Sequence, residues 1–325
     1  MRYQRELTAA ITAVKLAAKV CRDVQLDLVN AETLQKKDKS PVTVADFASQ
    51  AIVGAVLAEH FPQDVLVGEE DSKGLLDESL TPLRQAIVRH VNQALNQQNP
   101  EAQVLDWIDR GMDAGNGSRH WTLDPIDGTK GFLRGEHYAV ALALIVGGEV
   151  VLGVLGCPNM ETQGEQGALF YAIKGKGAFS QPLFSEGEVQ AISTANVETT
   201  NDARFCESVE SGHSDHELSA KIAADLGIVS EPFRIDSQCK YAAVARNDAS
   251  IYLRLPTRAD YQEKIWDHAA GKLIVEAAGG TVTDIYGKPL DFSHGRTLSD
   301  NKGVIATSGQ IHDQVVAAVQ RTMTN

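Results

Sequence analysis

The sequence predicts a mixed α/β protein, and three observations carry that reading. After residue 200, strand-length apolar runs alternate with segments of helical period, the pattern of strands layered against helices. Two strongly apolar runs, Tyr138–Val146 and Val150–Leu155, flank Gly147-Gly148 and read as a β-hairpin closed by a glycine turn. The chain has 325 residues, 43% hydrophobic and 22% charged, which at roughly 150 residues per domain suggests two globular domains or one large one.

In chain order, Leu7, Ile11, Val14, Ala18 and Cys21 recur at spacings of four and three and form the apolar stripe of a first helix. Lys36–Pro41 is a polar break. Thr43-Val44-Ala45-Asp46 then reads as a capping box opening a second helix with Phe47, Ala51, Gly54, Ala55 and Ala58 inward. Val65-Leu66-Val67 is a short buried strand ending in Gly68-Glu69-Glu70-Asp71. Residues 72–103 are polar, with one helix expected around Leu83–Leu95. His120–Leu123 is a strand running into Asp124-Pro125-Ile126-Asp127-Gly128-Thr129, followed by the hairpin.

Gly, Pro and Ser punctuation over Gly175–Glu198 marks the best domain boundary. Beyond it come a strand near Ala203–Ser208, a helix near His216–Leu226, Phe233-Arg234-Ile235, and a helix over Lys240–Arg246. The strand Ser250–Leu255 and a helix Trp266–Ala278 stopped by Gly279-Gly280 come next. The strand Thr281–Ile285, a turn at Tyr286–Pro289, the strand Gly303–Thr307 and a final helix complete the chain.

The net charge is −13, which argues against a nucleic acid polymer as partner, because that binding needs a basic face. No apolar run approaches the ~18 residues of a spanning helix, so no membrane segment is expected. The charged, amphipathic N-terminal stretch does not read as a signal peptide. Cys21, Cys157, Cys206 and Cys239 form no CxxC pair, and reduced thiols in the cytoplasm are the plain expectation. HExxH, GxSxG and GxxxxGK[ST] are all absent, which disfavours zinc hydrolases, elbow-type serine hydrolases and P-loop enzymes.

Asp124 and Asp127 sit three residues apart just past a strand, in a turn stiffened by Pro125 and Gly128. They suit either convergence on a hard cation such as Mg²⁺ or a solvated Asp-Pro/Asp-Gly turn. Gly128 and Thr129 stand at the start of an expected helix, where free backbone N–H groups could receive a phosphate. Gly68-Glu69-Glu70-Asp71 is either a cation-relieved acid cluster or a solvated loop. Asp267, in Trp266-Asp267-His268, is a further acid or only a helix cap, and Asp46 has its capping role.

Together, Gly68-Glu69-Glu70, Asp124-Pro125-Ile126-Asp127-Gly128-Thr129 and Trp266-Asp267-His268-Ala269-Ala270-Gly271 resemble the three-part signature of the inositol monophosphatase superfamily. The resemblance narrows to the bisphosphate nucleotidases of fungi and plants. It does so through Ser40–Asp46, Lys130–Gly135, Asp236–Tyr241, Ile251–Pro256 and Glu263–Asp267, with Cys239 where alanine is expected. It covers nearly the whole chain from the first few residues, so no leader is expected; 72–103 and 181–200 match weakly.

The resemblance implies a layered α-β-α-β-α sandwich, with an N-terminal α+β part (1–195) and a C-terminal α/β part (196–325). It implies a magnesium-dependent, lithium-sensitive phosphatase with two to three Mg²⁺ held by Glu69, Asp124, Asp127, Asp267 and the Ile126 carbonyl. Asp46 and Thr129 would activate water. Gly128, Thr129, His213, Ser237, Lys240 and Arg254 would hold a bisphosphorylated nucleotide. The expected reaction removes the 3′-phosphate of adenosine 3′,5′-bisphosphate, and of 3′-phosphoadenylyl sulfate, by a monomeric enzyme. An inositol polyphosphate 1-phosphatase, or a non-catalytic nucleotide sensor on the same scaffold, are the alternatives.

Overall fold

The computed structural model describes residues 2–30, 40–209, 216–256, 258 and 260–324. Its strands form a seven-stranded sheet in the order β1-β2-β3-β4-β5-β6-β7 and a five-stranded sheet in the order β11-β12-β10-β8-β9. In the first sheet, β1 (Val65–Gly68) runs parallel to β2 (Arg119–Asp127). β3 (Ala139–Val146), β4 (Glu149–Thr162), β5 (Glu165–Ile173), β6 (Ala178–Pro182) and β7 (Gln190–Ile192) follow antiparallel. The second sheet is mixed: β10 (Ile251–Arg254) pairs parallel with β8 (Phe205–Glu207) and antiparallel with β12 (Val304–Ser308). β9 (Phe233–Arg234) and β11 (Gly280–Thr283) form its edges.

Strand alternation decides what covers each face. On β3, Val140, Leu142 and Leu144 join the core under α1 (Gln4–Asn30) and α2 (Ser40–His60). The opposite face of β3 presents Ala139, Ala141, Ala143 and Ile145 to a second core containing α7 (Cys239–Ala245) and α8 (Ala269–Ala277). Small side chains there let α8 press onto the sheet: a Cβ on Gly153 would lie 2.8 Å from the Ala270 carbonyl oxygen. Ile251, Leu253 and Ile305 face a third core with α6 (His216–Asp225) and α9 (His312–Thr324). Helices, sheet, helices, sheet and helices therefore stack as an α-β-α-β-α sandwich.

The structure corrects several boundaries. α2 starts at Ser40, so Thr43 lies inside the helix and the expected capping box does not open it. Pro41, with its preset φ, is at home in a first helical turn and allows the earlier start. The Lys36–Lys39 part of the polar break lies outside the described residues. The 72–103 stretch holds two 3₁₀ turns and α3 (Thr81–Leu95), followed by α4 (Glu101–Asp109), which periodicity did not single out. β5 was also not anticipated, and the punctuated Gly175–Glu198 segment carries β6 and β7 on the edge of the first sheet. The expected Trp266–Ala278 helix is a 3₁₀ turn, Ile265–Asp267, and then α8, so Asp267 does not cap α8. The hairpin turn is as expected, with Gly147 and Gly148 both at positive φ, 61° and 78°. All four cysteines are buried and free. No helix among the described residues is long and apolar enough to cross a membrane.

Candidate active site

Register brings the first acids together. Parallel pairing sets Gly68, the last residue of β1, beside Leu123, so Glu69 leaves the end of β1 alongside Asp124, which is still within β2. Trp121 and Leu123 point into the α1/α2 core, which turns Asp124 to the α7/α8 face. A regular strand would send Asp127, three residues on, to the wrong face. Instead Asp124 pairs with Ala141 and Asp127 with Ala139, so three steps on β2 match two on β3. That one-residue bulge returns Asp127 to the face of Asp124. The bulge is held from behind, where the Ser49 hydroxyl on α2 donates to the Pro125 carbonyl at 3.0 Å.

The third acid comes from the other end of the chain. The 3₁₀ turn Ile265–Asp267 packs on β2 and β3. Buried Gln238 ties it down: its Nε2 donates to the Trp266 carbonyl at 2.8 Å, and its Oε1 accepts from the Gly271 N–H at 3.1 Å. The Gln238 backbone N–H donates to Asp127 Oδ2 at 2.6 Å, so one residue touches both halves of the cluster. Asp267 also meets Arg254 Nη2 at 3.1 Å, and Arg254 Nε pairs with Glu263 at 2.7 Å. Glu263 in turn holds His268 Nε2 at 3.0 Å, and His268 Nδ1 meets the Tyr241 hydroxyl at 2.7 Å. Glu263, Asp267 and His268 offer ligand atoms within 4.8 Å of one another, but the first and last are committed to this network.

The electrostatics are those of crowded acids. Burial, then the charges of Glu69, Asp127, Asp267 and Asp46, holds the Asp124 carboxyl well above its ordinary range. Burial and Asp267 push Asp127 up to about 6, against the pull of Lys240 and Arg254. Glu69 is pushed up to about 7 by burial, Asp267, Glu70 and Asp127. Its outward side is exposed, and water screens part of that repulsion. On α2, Asp46 is raised by burial and by Glu70 and Glu69, which places it at the same cluster.

One atom tests whether a cation fits. Asp124 Oδ1 is buried without a hydrogen-bond partner, an expensive arrangement for a carboxylate oxygen unless a cation meets it. The donor set is all oxygen, which suits a hard divalent ion.

Those residues expected to hold substrate that are described lie next to this cluster. Gly128 adopts φ 96° and a Cβ on it would meet Ser237 Cβ at 2.8 Å, so glycine is required where the two turns touch. Thr129 is exposed and starts α5 (Thr129–Leu133). Buried Lys240 donates to Ser208 Oγ at 3.1 Å and lies 5.2 Å from the Tyr252 ring centroid. Burial lowers its pKa, partly offset by Asp127. Arg254 is held by Glu263 and Asp267 as described. His213 lies outside the described residues.

Sequence reasoning missed Gln50, Gln238, Arg296 and the positioning role of Glu263. Gln50, buried on α2, donates to the Glu70 carbonyl at 2.6 Å and accepts from the Glu70 N–H at 3.1 Å, clamping the turn just past Glu69. Isolated amides and an isolated arginine carry no local motif.

The inositol monophosphatase family profile matches residues 3–324. The chain belongs to the inositol monophosphatase family, which is generally metal-dependent. It is 44% identical to the 3′(2′),5′-bisphosphate nucleotidase of Emericella nidulans, covering 99% of each chain. It is 44% identical to that of Schizosaccharomyces pombe over 98% of this chain and 96% of the other. It is 45% identical to that of Oryza sativa over 98% and 94%. The solved inositol monophosphatase from Anabaena superposes with a TM-score of 0.65 at 20% identity, covering 99% of this chain and 97% of that one. The Thermotoga maritima enzyme does so with 0.65 at 20% identity and 98% of each chain. At that identity these structures establish the shared fold.

Proposed function

We propose that this chain is a magnesium-dependent phosphomonoesterase that removes the 3′-phosphate of adenosine 3′,5′-bisphosphate, giving AMP and phosphate. We extend the proposal to 3′-phosphoadenylyl sulfate. The observation that carries it is the buried, partnerless Asp124 Oδ1 at the meeting point of Glu69, Asp127, Asp267 and Asp46. The nucleotidase names of relatives 44–45% identical over almost the full chain supply the substrate class.

Glu69, Asp124, Asp127, Asp267 and the Ile126 carbonyl would hold two to three Mg²⁺ ions. Bound Mg²⁺ supplies positive charge for the phosphate and the leaving alkoxide and acidifies water. Asp46 accepts the proton of the attacking water, and the Thr129 hydroxyl orients that water. The water oxygen attacks phosphorus in line, the P–O3′ bond breaks, and the leaving O3′ oxygen takes a proton from solvent water, to which Asp46 releases the one it accepted. Gly128 and Thr129 present N–H groups to the transferred phosphate. Ser237, Lys240, Arg254 and His213 bind the nucleotide and its second phosphate, with Lys240 and Arg254 carrying the charge. We assign 1–195 and 196–325 as the two domains, and a monomeric state in the cytoplasm.

The test is phosphate release from adenosine 3′,5′-bisphosphate, 3′-phosphoadenylyl sulfate and inositol 1,4-bisphosphate, with and without Mg²⁺. Preference for the nucleotides with strict Mg²⁺ dependence supports the proposal. Preference for the inositol phosphate makes the enzyme a 1-phosphatase, and binding without release makes it a sensor.

A pH effect follows from the crowding. Carboxyls of an unfolded chain ionise near pH ~4, whereas the folded values reach about 6 for Asp127 and about 7 for Glu69. Across that window the folded chain holds more protons than the unfolded one, so these groups cost stability as pH rises. A cation between them offsets that cost. The gain in melting temperature from saturating Mg²⁺ is therefore expected to be larger at pH 8 than at pH 5. Equal gains would place the stabilising ion elsewhere.

A further inference from the structure

Glu69 follows directly on β1 of the first sheet and Asp267 sits in a turn nearly 200 residues away, so their spacing depends on whatever joins those two segments. Arg296 touches both. Its Nη2 donates to the Gly68 carbonyl at 2.5 Å, the carbonyl of the peptide that leads into Glu69. Its Nη1 donates to the Gly111 and Asp113 carbonyls at 3.0 and 2.9 Å. The guanidinium carbon lies 4.8 Å from the centroid of the Trp266 ring, the residue before Asp267.

The backbone around Arg296 is fastened to the same turn. The Ile265 N–H donates to the Arg296 carbonyl at 3.2 Å, and the Leu298 N–H to the Glu263 carbonyl at 2.8 Å. Gly295, at φ 73°, lets the loop close on Ala114, whose carbonyl oxygen would lie 2.7 Å from a Cβ there.

We propose that Arg296 is a positioning residue for the cation site, fixing Glu69 against Asp267 by gripping the Gly68 carbonyl while stacking on Trp266. This rests on the reading of the acid cluster as a cation site. A planar fork with several fixed donors performs both tasks at once, which a lysine ammonium does not. Mg²⁺ demands near-ideal octahedral geometry, so a small shift between the two acids weakens binding. Loss of an outer partner of a metal ligand costs roughly 10–100-fold in affinity.

The test compares wild type, Arg296→Met, Arg296→Lys and Asp124→Asn. Mn²⁺ is titrated into substrate-free protein by water-proton relaxation, and phosphate release is measured against Mg²⁺ and against nucleotide. Arg296→Met is expected to weaken Mn²⁺ binding about 10–100-fold, with Arg296→Lys in between. The Mg²⁺ requirement should rise in parallel, while the nucleotide KM at saturating Mg²⁺ stays near wild type. Wild-type Mn²⁺ affinity in Arg296→Met overturns the proposal. So does a loss of kcat at all Mg²⁺ concentrations with unchanged Mn²⁺ binding. If Arg296→Met does not fold, Arg296→Lys decides by the same criterion. Failure of the wild type to bind Mn²⁺, or wild-type binding by Asp124→Asn, overturns the cation-site reading itself.

Discussion

Asp124→Asn is expected to remove nearly all turnover and, in the cation-free protein at pH 8, to raise the melting temperature. Both effects have one cause. Asp124 is buried at the centre of the acids, raised by burial and by Glu69, Asp127, Asp267 and Asp46. An ionised carboxylate there is costly without a cation and central with one. Asparagine keeps the shape, removes the charge and relieves the repulsion. Losing several kcal/mol of charge stabilisation at about 1.4 kcal/mol per decade corresponds to roughly a thousandfold lower kcat. The sign of the stability change separates this from ordinary damage, because a merely structural lesion lowers the melting temperature. Mg²⁺ should no longer raise it. Turnover retained with normal Mg²⁺ dependence, or a variant less stable without cation, would sink the assignment.

Lys240→Met is expected to change which substrate is preferred. Lys240 is buried beside Ser208 and Tyr252 with Asp127 nearby, so its charge is poorly solvated and available to a bound anion. Methionine fills similar volume and removes a charge whose burial is itself costly. A charge-assisted hydrogen bond of about 1.5–3 kcal/mol corresponds to roughly 10–150-fold in kcat/KM. That loss should appear with adenosine 3′,5′-bisphosphate and be nearly absent with 3′-AMP, which lacks the second phosphate. Equal losses on both substrates would move Lys240 from substrate selection to general support of the site.

The acids were legible because they lie in short runs with strong local character. Gly68-Glu69-Glu70 ends an apolar strand, Asp124–Thr129 carries Pro and Gly at turn positions, and Trp266-Asp267-His268 precedes a periodic helix. The hairpin at Gly147-Gly148 and helix α8 were readable for the same reason. The groups that hold the acids in place were not readable. Gln50 reaches Glu70 across 20 residues, Gln238 reaches Asp127 across 111, and Arg296 reaches Gly68 across 228. No periodicity or turn rule links such positions.

What the sequence determined alone was therefore the inventory: the acids, the turn residues beside them, the alternation of strand and helix, and an acidic composition with net charge −13. Tertiary structure decided the convergence. A one-residue bulge turned Asp127 to the face of Asp124, the 3₁₀ turn brought Asp267 to that face, and Arg254 was committed to Glu263 and Asp267. Local conformation follows from neighbours along the chain, whereas the spacing between carboxylates follows from sheet register and side chains reaching across layers. Those are properties of the folded chain as a whole.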